Sequence, residues 1–95
     1  MKAELLLRSK DVLSDGSILE MVIWRVPTPV IGSAHAYKYS LYFGREGRRI
    51  VGFDNERPKG DHRHLDGVES AYVFENVEKL VRDFLSEVRA RRHRR

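Results

Sequence analysis

His62 and His64 stand one residue apart in a run of high chemical density, Asp54-Asn55-Glu56-Arg57-Pro58-Lys59-Gly60-Asp61-His62-Arg63-His64. These eleven positions hold three of the chain's fourteen acidic residues and two of its four histidines. A turn calls for Asn, Pro and Gly, and solubility calls for charge of any kind. Paired imidazoles bracketed by cations and carboxylates answer to neither need. They are what proton transfer at a phosphate, or ligation of a metal ion, requires.

In an extended segment, side chains two apart share a face, with Cα atoms ~6.5 Å apart at a rise of ~3.3 Å per residue. His62 and His64 would then point together, with Asp61 and Arg63 on the other side. One ring accepts a proton while the other donates, and an ordinary histidine pKa of ~6.5 makes both states available near neutrality. Lys59, Arg57 and Arg63 are close enough in sequence to stabilise charge building on a phosphorane. Asp61 or Asp54 would fix the tautomer of one histidine. This is the constellation for RNA cleavage through the neighbouring 2′-OH, with no metal or other cofactor. A competing chemistry remains open: His62 and His64 with Asp54 or Asp61 offer an N/N/O set for Zn²⁺ or a nuclease metal. The bland alternative is an exposed loop whose charges pair with one another.

What positions this run is a small α+β domain. With 95 residues, 41% hydrophobic and 34% charged, the chain has the composition of one globular domain. It has no cysteine, so neither a disulfide nor a thiol nucleophile is available, which fits a reducing cytoplasm. The N-terminus alternates charge with leucine, so neither a signal peptide nor a membrane span is read there. The charge is uneven. Arg89, Arg91, Arg92, Arg94 and Arg95 crowd the end, while residues 1–88 carry thirteen cations against fourteen carboxylates. Such a tail either adds affinity for RNA or complements the dipole of a helix end.

Residues 3–13 read as a first strand and Ser14-Asp15-Gly16 as a turn. Residues 17–26 follow as a strand with two apolar faces: Leu19, Met21 and Ile23 on one, Ile18, Val22, Trp24 and Val26 on the other. After an irregular stretch from Pro27 to Ser33, residues 35–43 alternate cleanly. Gly44-Arg45-Glu46-Gly47 is a second turn, and residues 48–54 make a fourth strand. Residues 71–74 are the candidate for a fifth, edge strand. Asn76 caps a helix over 76–92 whose stripe is Val77, Leu80, Val81, Phe84, Leu85 and Val88. The expectation is an antiparallel meander of four to five strands (residues 3–54), a charged loop (54–70) and one C-terminal helix on one sheet face. One helix covers one face only, so the second apolar face of residues 17–26 calls for a partner: a second copy or a different protein. His35 reads as structural and Tyr42 as a candidate for stacking a base. No Gly-rich phosphate loop, HExxH or GxSxG motif is present.

The run from Phe53 to His64, together with Ser14-Asp15-Gly16-Ser17 and Glu20-Met21-Val22-Ile23-Trp24, resembles the TumE family of bacterial toxins. The resemblance spans nearly the whole chain, and Lys59-Gly60-Asp61-His62-Arg63-His64 is its specific part. At the position before that lysine the family often has glycine, and this chain has Pro58. The resemblance implies the toxin of a type II toxin–antitoxin module, silenced by a cognate helix-turn-helix antitoxin. Joined to the reading of the residues, it gives an endoribonuclease in which His62 and His64 are base and acid in unassigned order. Lys59 and Arg63 stabilise the transition state, and Asp61 orients. Arg57, Asp54, Arg89, Arg91 and Arg92 bind RNA. A non-catalytic module binding nucleic acid or protein is the alternative.

Overall fold

Alternation of apolar residues over 35–43 and the i, i+3, i+4 stripe after Asn76 demand a sheet with a helix laid on it. A computed structural model describes residues 2–92 and has this α+β form. Six strands follow one another in chain order, each antiparallel to the last: β1 (Glu4–Val12), β2 (Ile18–Arg25), β3 (Tyr37–Arg45), β4 (Arg48–Asp54), β5 (His62–Leu65) and β6 (Val68–Ala71). One helix, α1 (Val77–Arg92), closes the described chain. The Asn76 side chain accepts from the Lys79 amide at 2.8 Å, the bond expected of an N-cap.

The sheet has six strands where sequence reasoning expects four to five. The stretch 54–70, expected as a loop, contains β5 and β6. Their hairpin turns on Asp66-Gly67, with φ of 51° and 86°, a two-residue connection whose positive-φ geometry suits Asp-Gly. The expected edge strand at 71–74 is displaced in consequence. Ala71 ends β6, and Tyr72 and Phe74 lie on the way to the helix, packed against the core.

Helix α1 lies over β4. Phe84 meets Phe53 edge-on with ring centroids 5.8 Å apart, and Leu80, Phe84 and Val88 are buried against Ile23, Tyr39, Leu41, Phe43, Val51 and Phe53. The registers Leu41↔Phe53 and Phe43↔Val51 put these residues on one face. The register Asp54↔His62, with Gly52↔His64, puts the histidines on the opposite one. That face carries no helix. At its far end the second apolar face of β2 is half-buried, while Leu5 and Val12 of β1 are 41% and 70% exposed.

Candidate functional site

Period-two alternation makes the site. His62 and His64 lie on the open face of β5, their ring centroids 5.1 Å apart and their planes at 79°. Asp54, the cross-strand partner of His62, and Glu69, that of His64, join them from β4 and β6.

The two imidazoles meet opposite surroundings. His62 is 6% exposed. Its Nδ1 donates to the Gly60 carbonyl at 2.9 Å, and its Nε2 lies 2.6 Å from Asp54 Oδ1. Glu69 Oε2 is a further 3.8 Å from that nitrogen. An oxygen thus faces each ring nitrogen. The Asp54 contact lacks the alignment of a hydrogen bond, and Oδ1 is buried with no hydrogen-bond partner among the described residues.

His64 is half-buried, and Arg49 Nη2 donates to its Nδ1 at 3.0 Å. A guanidinium only donates, so Nδ1 is the acceptor and the neutral ring's hydrogen sits on Nε2. Burial first, and then the Arg49 charge, hold the His64 pKa below its ordinary 6.5. Gly52 makes this possible. A Cβ at position 52 would stand 2.6 Å from Arg49 Cδ, so the arginine stem crosses the strand where no side chain exists.

The other residues expected at the site divide. Lys59 reaches it indirectly, through bonds of 3.3 and 3.1 Å to Glu69, and this contact is the main reason Glu69 sits below the usual carboxylate range. Arg63 faces the helix side, near Ser70 and 3.9 Å from Glu87, away from both histidines. Asp61 orients a histidine, but that histidine is His35, whose Nε2 is 2.6 Å from Asp61 Oδ2 and whose Nδ1 accepts from the Tyr37 amide. Tyr39 Oη and Ser33 Oγ also donate to Asp61, each at 2.7 Å. Burial pushes this carboxyl up, but the three bonds together outweigh it and hold the pKa below 3.8. Burial and the Asp61 charge push the Tyr39 phenol far up, so it stays a donor.

This network ties two loops together. Buried Asn55 takes the Tyr39 amide at 3.0 Å and donates to the Tyr37 carbonyl at 2.7 Å, continuing the β3–β4 ladder with a side chain. Gly32 and Gly60 meet backbone to backbone, and a Cβ on either would collide with the other loop. Between the loops runs a groove of about 640 Å³ lined by Pro29, Val30, Ile31, Arg57 and, at its floor, Ser40 and Asp54. Arg57 thus stands beside the site. Arg91 pairs with Asp66 and Glu87, Arg92 lies in a second groove, and Arg89 is exposed. His93, Arg94 and Arg95 lie outside the described residues. Sequence reasoning missed Arg49 and Glu69. Their only signal is strand register, which cannot be read before β5 and β6 are recognised.

Asp54, His62 and His64 place ligand atoms within 4.8 Å of one another, and an orphaned buried carboxylate oxygen is one a cation would satisfy. The donor types fit a divalent ion. Arg49 opposes it, since a fixed positive charge already occupies His64 Nδ1.

The molecule is a small helix-backed antiparallel sheet with paired histidines on its open face. A family model described as Toxin TumE matches residues 2–92, and the chain belongs to that toxin family. It is accordingly the toxin component of a type II toxin–antitoxin module, with an antitoxin as partner. Comparison with curated proteins and with solved structures gives no match. No helix among the described residues is long and apolar enough to cross a membrane.

Proposed function

We infer that this toxin cleaves RNA by metal-independent transfer to the 2′-OH, with His64 as general base and His62 as general acid. The observation that carries this reading is the opposition of the two pockets. Arg49 and burial keep His64 neutral, while Gly60 and Asp54 offer His62 an acceptor at each nitrogen. His64 takes the 2′-OH proton as the O2′–P bond forms. The P–O5′ bond breaks, and the Nε2 proton of His62 passes to the departing O5′. Products are a 2′,3′-cyclic phosphate and a 5′-hydroxyl, and Asp54 remains as the carboxylate beside His62 Nε2.

The test is RNA cleavage and growth arrest by the toxin expressed without its antitoxin. Each of His62→Ala and His64→Ala should slow cleavage by about 10²–10⁴-fold, the usual worth of general acid–base catalysis. Chelation with EDTA should leave the rate unchanged. Loss of cleavage in EDTA would transfer the same three residues to metal chemistry. Full activity in the double alanine variant would remove them from the mechanism. The antitoxin surface in this reading is the open face of β1 and β2, where Leu5 and Val12 are exposed beside half-buried Val22 and Trp24.

A further inference from the structure

A second groove, of about 1000 Å³, is framed by the β3–β4 hairpin and the end of α1. Arg45, Arg48 and Arg49 enter it from the hairpin and Arg91 and Arg92 from the helix, against three carboxylates, Asp15, Glu46 and Asp66. Two of the arginines are engaged: Arg45 with Asp15 at 3.2 Å, and Arg91 with Asp66 at 3.0 Å and Glu87 at 2.6 Å. Arg48 and Arg92 are exposed and pair with no carboxylate among the described residues. Arg49 differs from all four, because it leaves the groove across Gly52 and ends on His64.

We propose that this arginine groove is the track for the phosphate backbone of single-stranded RNA, and that Arg49 receives the scissile phosphate at its inner end. The proposal rests on the acid–base reading of His62 and His64 and names how substrate reaches them. Planar guanidinium forks suit phosphate oxygens, and unpaired exposed arginines are available to make such contacts. The link to the histidines favours RNA over an acidic protein segment, since Arg49 lines the groove and its guanidinium reaches His64. Arg49 then has two positions. Without RNA it occupies Nδ1 of His64. A phosphate draws the guanidinium away, which frees that lone pair for the 2′-OH proton. Arg49 is thus a binding residue for the phosphate and a positioning residue for the base.

The test measures binding of a 2′-O-methyl single-stranded oligonucleotide, which cannot be cleaved this way, across a salt series. The Arg48→Ala/Arg92→Ala variant should bind more weakly, and its slope of log affinity against log salt should be shallower by about 1.4, for two lost phosphate contacts. Lys38→Ala, in the other groove, should bind like the parent. Binding that follows the arginines while neither the parent nor any variant cleaves unmodified RNA would keep the groove and reject the acid–base reading. An unchanged slope in Arg48→Ala/Arg92→Ala, or loss confined to Lys38→Ala, would overturn the groove. So would unchanged RNA binding with weakened binding of polyglutamate, which would assign the groove to a protein partner. For Arg49, the acid limb of the pH–rate profile separates the roles. Arg49→Ala should move that limb to higher pH as the charge holding His64 down is removed, and an unmoved limb would leave Arg49 outside the mechanism.

Discussion

His62 and His64 are the same residue type two positions apart, and the fold makes them chemically different. One lies between a carbonyl and a carboxylate, the other under a guanidinium. A pH consequence follows for His64. Its folded pKa is below the unfolded value of ~6.5, so the unfolded chain binds the extra proton first as pH falls. Stability should therefore decline below pH ~6.5, in the window reaching down to the depressed folded value, and His64→Gln should flatten that decline in a series of melting curves. Asp61 has the carboxylate sign. Its folded pKa is below 3.8, so its contribution is complete above that value and is lost as pH falls through the folded one. Asp61→Asn should cost about 2 kcal/mol at neutral pH, because His35, Ser33 and Tyr39 lose a charged acceptor, and urea titration reads it directly. That Asp61 holds a histidine is legible from its type. That the histidine is His35 is not, since the partner comes from 26 residues away through loop packing that no local pattern records.

Elements were legible where periodicity is long and clean. The stripe from Val77 to Val88 has one helical reading, and Asn76 marks its start. Asn76→Ala should lower stability by about 1 kcal/mol and Phe84→Ala by about 3–5 kcal/mol, a ranking that thermal unfolding would check. Strand β3 announced itself by clean alternation and β2 by its two apolar faces, and turns at Asp15-Gly16 and Glu46-Gly47 set off β1 and β4. Strands β5 and β6 did not announce themselves. Each is four residues long, and their sequences, His-Arg-His-Leu and Val-Glu-Ser-Ala, carry too little apolar content for alternation to stand out. The Asp66-Gly67 turn was the available signal. Missing that hairpin concealed Glu69 and the Gly52↔His64 register, and with them the reason a glycine belongs in β4: Arg49 needs the space.

At the scale of the molecule, one helix on one face divides the labour. Its stripe consolidates β2 to β4, and the opposite face carries the paired histidines at one end and apolar surface at the other. The extents of 44 × 24 × 22 Å match a sheet longer than its helix cover. Trp24 is the only tryptophan and lies on that open face, with Arg8 6.0 Å from its ring. Antitoxin binding there should blue-shift Trp24 emission, and an unmoved spectrum on forming the complex would place the partner elsewhere. The unequal charge along the chain was plain from sequence. That the hairpin arginines and the helix end meet in one groove was not, because they lie some forty residues apart.

The most direct measurement of the central claim is the chemistry of the cut ends. RNA incubated with the purified toxin in EDTA should yield 2′,3′-cyclic phosphate and 5′-hydroxyl termini, and a single 2′-deoxy substitution should block cleavage at that position. Fragments bearing 5′-phosphate and 3′-hydroxyl ends, or cleavage that continues 3′ of a 2′-deoxy nucleotide, would contradict proton transfer between His64 and His62 as the source of the activity.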